Sequence, residues 1–127
     1  MGIAYNSRVV VEGLVIALDA GNSKSYPGSG TTWTDLSGNG NNGTLVNGVG
    51  YSGDNLGSLS FDGSNDYVTL SSPVFNTFST ISIFSFIRFN TTSKSCQIFH
   101  TRDSSEDGLS FLMSNPSGNV LYSSLSV

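Results

Sequence analysis

The sequence predicts an all-β protein, and three observations support this prediction. Apolar residues alternate with polar ones or stand in runs of four to eight, and the spacing of an amphipathic helix is hard to find. Glycine, asparagine and serine interrupt these runs at short intervals, as they do at turns between strands. With 127 residues and 37% hydrophobic side chains, the chain is long enough for one domain with its own core.

The composition excludes several classes of partner. Only 11% of the residues are charged, with five Lys and Arg against nine Asp and Glu and a net charge of −4. Because no basic run forms, we expect the chain to bind neither the phosphates of nucleic acid nor an anionic membrane surface. No apolar run reaches the roughly 18 residues that would span a bilayer. The single cysteine, Cys96, cannot form an internal disulfide.

The N-terminal half is predicted to hold one strong strand followed by a long polar stretch. Residues 1–12 are an arm that runs into the first strand, and the domain proper covers residues 13–127. The first strand occupies residues 9–19 and is broken near Gly13. Residues 20–57 contain most of the fifteen glycines, which predicts loops around short edge strands near Trp33 and at residues 44–46.

The C-terminal half has more strand signals. LGSLSFD and DYVTLS flank the turn Gly63-Ser64-Asn65, which predicts a hairpin. Residues 80–89 carry apolar side chains on both faces, which predicts a central strand covered from both sides. Replacing Phe86 by alanine is then expected to cost about 3–5 kcal/mol. Further strands are predicted at residues 97–101, 108–114 and 119–127, with turns at 104–107 and 115–118. Short strands at such spacing indicate a sandwich or jelly roll.

Several sequence blocks occur in a specific order: GLVIALDA, YPGSGTTWTDLSGNGNNGTLVNG, GSLSFDGSNDYVTL and FSTISIFSFIRF. Together they resemble the laminin-G-like jelly roll of the concanavalin A-like lectin and glucanase superfamily, over roughly residues 13–122. WTDLSGNGNNGTL and FDGSNDYV are the specific parts. The resemblance implies a two-sheet antiparallel β-sandwich. Members of the family are longer, so we expect the closing C-terminal strands to be missing or to be supplied by neighbouring chains.

The opening, a short arm followed by GLV-x-ALDAGN-x-KSYPGSGTTW, is similar to virion proteins of tailed bacteriophages. That similarity implies a non-enzymatic structural component, either a capsid decoration or a tail or fibre module. Its partners would be other virion proteins or copies of itself, and its location the virion. The alternative is an extracellular carbohydrate-binding module that recognises a host or environmental glycan.

Three catalytic or nucleotide-binding patterns are incomplete in this sequence. Gly38, Gly40 and Gly43 match G-x-G-x-x-G, but the sequence after them predicts a strand and not the helix that a pyrophosphate site needs. Only two glutamates are present, and no strand carries the paired carboxylates of a glycosidase, so we expect no hydrolase activity. Cys96 and His100, four residues apart on one strand, would lie about 13 Å apart, too far for a thiol dyad.

Calcium is the one cofactor that the sequence leaves open. Asp35, Ser37 and Asn39 copy the start of an EF-hand loop, but Val46 stands where that loop needs glutamate. A sandwich loop can instead combine oxygens from separate segments, and the laminin-G-like relatives imply such sites. The candidate pairs are Asp35 with Asn39, Asp62 with Asp66, and Asp103 with Asp107. The competing interpretation gives these aspartates ordinary roles in turns.

Aromatic residues are the candidates for glycan binding, because an aromatic ring suits the apolar face of a pyranose. Trp33 and Tyr67 are assigned to structural roles, since they lie within strand patterns. Tyr26 and Tyr51, flanked by glycine and serine, are the predicted exposed aromatics. Together with Asn39 in the glycine- and asparagine-rich loop, they form the candidate carbohydrate site.

Overall fold

The computed structural model describes residues 12–71, 74, 80–89, 96–100, 108–114 and 120–126. Secondary structure in these residues consists of strands and one short 3-10 turn, so the described chain is all-β. Contacts divide the chain into two compact units, Met1–Val74 and Phe75–Val127. No helix in the described ranges is long and apolar enough to cross a membrane.

The first unit contains a three-stranded antiparallel sheet. Strand β1 (Thr32–Trp33) pairs with β2 (Gly43–Val46), and β2 pairs on its other side with β5 (Tyr67–Leu70). The β2–β5 ladder is in continuous register, with Leu45 opposite Val68. Leu45 is buried, whereas its neighbour Thr44 is exposed. This alternation is what a strand with one covered face requires.

A two-stranded hairpin forms the second sheet of this unit. Strand β3 (Gly50–Ser52) pairs with β4 (Ser58–Ser60), and the 3-10 turn Asp54–Leu56 lies at the tip between them. Asn55 and Leu56 both have positive φ, 52° and 75°, and Gly57 follows at 96°. The tip turns so sharply because three successive residues adopt backbone angles that only glycine accepts freely.

The second unit contains a three-stranded antiparallel sheet in which β7 (Gly108–Ser114) is central. It pairs with β6 (Cys96–His100) on one side and with β8 (Val120–Ser126) on the other. The β7–β8 register is continuous over seven residue pairs, from Gly108 opposite Ser126 to Ser114 opposite Val120. In the β6–β7 ladder the register shifts between Gln97 and Phe99. Such a shift is typical of a β-bulge, which leaves one residue of the bulged strand without a partner.

Several strand predictions are confirmed. The strands predicted at 97–101, 108–114 and 119–127 correspond to β6, β7 and β8 to within a residue or two, and the two islands around Trp33 and 44–46 are β1 and β2. The turns predicted at 104–107 and 115–118 lie outside the described residues.

The predicted pairing of the strands beside Gly63 is wrong. Both strands exist, but β4 pairs with β3 and β5 pairs with β2. Gly63 does adopt a positive φ of 73°. A turn signal predicts that the chain changes direction, but it does not decide which strands pair.

The prediction of a doubly covered central strand at residues 80–89 is also wrong for this chain. The segment has no helix or strand assignment, and every one of its side chains is exposed. Phe84 and Phe86 are 84% and 92% exposed. The apolar pattern on both faces predicts burial, but burial depends on the packing of distant residues, which a local pattern does not contain.

Candidate functional site

Polar groups are concentrated around the carboxylate of Asp35, at the start of the loop formed by residues 35–42, here called the Asp35 loop. Asp35 is only 7% exposed. Its Oδ1 accepts hydrogen bonds from the main-chain N–H groups of Ala17 (2.8 Å) and Ser37 (2.9 Å). Its Oδ2 accepts from the Ser37 hydroxyl (2.7 Å) and the Asn41 main-chain N–H (3.0 Å). Four donors occupy the acceptor sites that an ionised carboxylate offers.

The same loop binds the backbone of an earlier segment, residues 14–17, chiefly through two asparagine side chains. The Asn39 amide donates to the carbonyl oxygens of Leu14 (2.8 Å) and Val15 (3.1 Å). The Asn41 amide also donates to Val15 (2.8 Å), and the main-chain N–H of Leu36 donates to the Ala17 carbonyl (2.8 Å). The backbone of residues 14–17 therefore finds its partners in the loop, chiefly in side chains.

This arrangement corrects the first predicted strand. Within residues 12–19 no strand is assigned, although the break at Gly13 is confirmed by its positive φ of 75°. Residues 9–11 lie outside the described chain. A β-ladder needs a neighbouring strand, and here asparagine and aspartate side chains satisfy the backbone groups instead.

The hydrogen bonds set the charge state of Asp35. Burial alone raises the pKa of this carboxyl, since it disfavours the ionised form. The Ser37 hydroxyl and the three main-chain N–H groups outweigh burial, and the pKa is held below the ordinary value of 3.8. Asp35 is therefore ionised near neutral pH and acts as an internal anion around which the loop folds.

We expect this anion to make stability fall in acid. Because the pKa is lower in the folded chain, Asp35 contributes its full stabilisation above its ordinary pKa, and the contribution is lost as the pH falls through the lowered value. An Asp35→Asn variant cannot titrate at this position. Its melting temperature is expected to lie below that of the wild type at pH 7. The gap between the two melting temperatures is expected to narrow below about pH 4. A gap that stays constant down to about pH 2.5 would contradict this assignment.

The Asp35 loop also explains two sequence motifs. Gly38 and Gly40 have positive φ angles of 91° and 75°, while Gly43 begins strand β2 where a dinucleotide motif would begin a helix. The alternating Asp35, Ser37 and Asn39 resemble a calcium loop because both kinds of loop wrap around one central charge. Here the centre is a carboxylate surrounded by N–H and O–H donors, which leaves Asp35 little capacity to bind a cation.

Ser25 is a structural residue that the sequence analysis missed. It is fully buried, its hydroxyl donates to the Thr34 carbonyl (2.6 Å), and that hydroxyl accepts from the Asp19 main-chain N–H (3.1 Å). The Ser25 carbonyl also accepts from the Thr34 N–H (2.8 Å). A serine within a glycine- and serine-rich stretch carries no sequence signal that separates it from its exposed neighbours.

The two candidate tyrosines pack on one another. The ring centroids of Tyr26 and Tyr51 are 5.3 Å apart, with the planes tilted by 58°. Tyr26 was predicted to be exposed, but it is only 3% exposed. Its hydroxyl donates to the Gly30 carbonyl (2.9 Å). Tyr51 keeps 38% of its surface exposed, and its ring rests against Gly28, where an added Cβ would come within 3.1 Å of Cε1.

Removing the Tyr26 hydroxyl tests whether this tyrosine has a structural role. We expect Tyr26→Phe to lower the free energy of unfolding by about 0.5–1.5 kcal/mol, because the bond to Gly30 is lost while the packing stays. Tyr67→Phe is a matched control, since Tyr67 is exposed on β5. Urea denaturation of both variants measures the difference. Equal midpoints would mean that the Gly30 bond contributes nothing.

The structure thus brings together two of the three residues of the predicted carbohydrate site. Tyr26 and Tyr51 are in contact, but only Tyr51 keeps part of its ring exposed to solvent. Asn39 is exposed, and its amide nitrogen is held by the carbonyls of Leu14 and Val15. A sugar could use Tyr51 and the oxygen of Asn39 only if the two lie on one surface.

Two of the three candidate calcium pairs lie outside the Asp35 loop. Asp62 and Asp66 occupy one exposed turn, in which the Asp66 carboxylate accepts from the Asp62 N–H (3.0 Å) and the Asp62 carboxylate accepts from the Ser64 N–H (2.7 Å). Asp103 and Asp107 lie outside the described residues. No cluster of three or more His, Cys, Asp and Glu that could hold a metal occurs in the part of the chain that the structure describes.

Comparison with known proteins shows a fold-level likeness. No protein-family model matches the chain, and no curated protein matches it. A crystal structure of an S-layer domain-containing protein from Clostridium thermocellum ATCC 27405 (residues 221–444) is similar, with a TM-score of 0.63 and 24% identity. The likeness covers 88% of this chain and 57% of that one, so this chain spans a little over half of that structure. At this identity the likeness concerns the fold alone.

Proposed function

We propose that this chain is a non-enzymatic structural module of a surface assembly, built on a lectin-like β-sandwich of the jelly-roll type. The observation that carries the proposal is the use of polar side chains in the Asp35 loop. Asp35, Asn39 and Asn41 are the residues that could bind a ligand there, and all three are engaged in fixing the backbone. A loop stabilised in this way suits a rigid scaffold.

Two likenesses support a surface assembly. The N-terminal sequence resembles virion proteins of tailed bacteriophages, which favours a capsid decoration or a tail or fibre module. The fold is similar to that of an S-layer domain-containing protein, which favours a layer at a cell surface. In either setting the partners are other proteins of the assembly or copies of this chain.

Density-gradient centrifugation tests this role. An antiserum raised against the purified chain would be used on fractions of a lysate from its source. We expect the chain to sediment with particles or with cell-surface material and to stay there after a wash in high salt. Recovery entirely in the unsedimented fraction would contradict the proposal.

A carbohydrate-binding module is the second candidate, and one observation favours it. The Tyr51 ring is partly exposed, while Tyr26 packs against it and Gly28 lies beneath it. A ring held in this way is pre-organised for stacking on a sugar and loses little entropy on binding. Calcium at Asp62 and Asp66, or at Asp103 and Asp107, belongs to this alternative.

A glycan array probed with and without calcium separates the two candidates. The structural role predicts no reproducible binding in either buffer. Binding that disappears in Tyr51→Ala, while Tyr67→Ala retains it, would favour the lectin. Binding that requires calcium and is accompanied by a higher melting temperature would place an ion in the site, because a ligand of the native state stabilises it by mass action. Asp62→Asn would then remove the calcium-dependent shift if that turn holds the ion.

A further inference from the structure

Residues 80–89 form an apolar segment whose side chains are all exposed. Within the described part of the chain, the segment belongs to none of the three sheets. Phe84 and Phe86 are in T-shaped contact, with centroids 4.9 Å apart, which places the two rings on one side of the segment. The large exposed side chains of the segment are Ile81, Ile83, Phe84, Phe86, Ile87 and Phe89.

The exposed apolar area is large enough for an interface. If a fully exposed aromatic or aliphatic side chain of this size offers about 150–250 Å², the six residues together expose roughly 500–900 Å². This area is divided between the two faces of the segment, because Phe84 and Phe86 lie on one side and the other four residues alternate with them. Its sum is at or above the roughly 300–600 Å² of the largest apolar patch on a typical monomer. It is close to the roughly 800 Å² that each partner contributes to a standard protein interface.

The sequence of the segment is a palindrome at its centre. Residues 83–87 read Ile-Phe-Ser-Phe-Ile, with Ser85 in the middle. In a dimer of two antiparallel segments, a twofold axis can pass through the Ser85 pair. A residue that precedes Ser85 by a given number of positions in one copy then lies opposite the residue that follows Ser85 by the same number in the other copy. Ile83 then faces Ile87, and Phe84 faces Phe86. Ile81 faces Phe89 at the ends, so each large apolar residue meets another one.

Charge is compatible with the same arrangement. Arg88 is the one charged residue in the segment, and it lies opposite Ser82 and not opposite its own copy. Like charges directly opposite would destabilise the pair, whereas aliphatic and aromatic pairs across strands stabilise it. Ser85 is small enough to face itself on the axis.

We propose that residues 80–89 are a homodimer interface, in which the segments of two copies of this chain pair antiparallel about Ser85. The pairing adds backbone hydrogen bonds to a segment that lies outside the described sheets, as in other interfaces made by strand addition. The twofold axis makes the interface self-complementary. This inference is independent of the proposed function, since a structural module and a lectin would carry the same segment.

Sedimentation equilibrium of the full chain at micromolar concentration tests the interface. We expect a dimer for the wild type. In a homodimer of either Phe84→Asp or Phe86→Lys, two charges would face phenyl rings. We expect the dimer dissociation constant of each variant alone to be at least about ten times that of the wild type. Both side chains are exposed in the single chain, so circular dichroism should show unchanged folding. A monomeric wild type, or variants that dimerise as well as the wild type, would overturn the proposal.

An equimolar mixture of these two variants tests the register. In a mixed dimer the aspartate introduced by Phe84→Asp would face the lysine introduced by Phe86→Lys. The two remaining phenylalanines would also face each other, so we expect dimerisation to return in the mixture. A mixture that stays monomeric would overturn the antiparallel register, even if the single variants had weakened the dimer.

Cysteine cross-linking provides an independent measurement. In a chain with Cys96→Ser, we expect Ser85→Cys to form a disulfide-linked dimer under mild oxidation. The two Ser85 Cβ atoms would be about 4.5–5.5 Å apart as directly opposite residues. Ser82→Cys is the matched control, because its copies would lie about 20 Å apart, six residues along the strand. Equal cross-linking at both positions, or none at Ser85, would overturn the pairing.

Discussion

Replacing Asp35 by alanine is expected to lower the free energy of unfolding by about 3–5 kcal/mol, because four part-buried donors lose their acceptor together and a fully buried donor in that state costs about 1–3 kcal/mol. The donors are the N–H groups of Ala17, Ser37 and Asn41 and the Ser37 hydroxyl. Their loss would also free residues 14–17 from the Asp35 loop. For a domain of this size, such a change approaches the whole stability.

Two further variants at aspartates make the measurement specific. Asp54 is exposed, and its carboxylate accepts from the Ser52 hydroxyl at 3.2 Å, so Asp54→Ala is expected to change stability by less than about 1 kcal/mol. Asp35→Asn keeps the size of the side chain and one acceptor oxygen, and should fall between the two. Urea denaturation monitored by Trp33 fluorescence gives all three values. If Asp35→Ala and Asp54→Ala unfold at the same concentration, the carboxylate does not hold the loop.

The sequence predicts the strands of the second unit well and predicts their surroundings poorly. β6, β7 and β8 follow from local sequence alternation and from the turn residues between the predicted strands, since both signals depend on neighbouring residues. Burial of a strand, by contrast, depends on packing against residues that are distant in sequence. Residues 80–89 have the pattern of a buried strand, yet they are exposed and form no assigned strand, because a local pattern contains no information on how distant residues pack.

In the candidate site, too, the sequence predicts the local loop but not the contacts that surround each side chain. The spacing of Asp35, Ser37 and Asn39 resembles the start of a calcium loop, and the structure places all three in one loop. Ser37 donates to the Asp35 carboxylate, and the Asn39 amide donates to the Ser37 hydroxyl. The spacing does not tell whether the centre of the loop is a bound cation or the Asp35 carboxylate itself. Serine and asparagine carry both oxygens that can bind a cation and N–H or O–H groups that can donate to an anion. The exposure of Tyr26 was predicted wrongly for a related reason: the serine, proline and glycine around it suggest a surface turn, whereas its ring is packed against Tyr51.

Replacing Gly57 by alanine is expected to have the second large effect, at about 2–4 kcal/mol of destabilisation. Gly57 ends the tip of the β3–β4 hairpin with φ 96° and ψ 133°, a combination that residues with a Cβ rarely adopt. An added Cβ would lie 2.7 Å from the Ala20 carbonyl oxygen, 2.9 Å from the Gly21 Cα and 3.0 Å from the Tyr51 hydroxyl. The first two are backbone atoms, so the tip would have to move away from the turn that it contacts.

Gly53 provides the control for this substitution, because it lies in the same hairpin tip with an ordinary φ of −78° and open space where a Cβ would be added. Gly53→Ala should be neutral or slightly stabilising, since alanine restricts the unfolded chain more than glycine does. Thermal unfolding of the two variants compares the same chemical change at two sites. We expect Gly57→Ala to melt several degrees lower, and to expose Tyr51 further because its hydroxyl loses the space beside Gly57. Equal melting temperatures would show that the hairpin tip does not pack on the turn at Ala20 and Gly21, and that Tyr51 is held only by Tyr26 and Gly28.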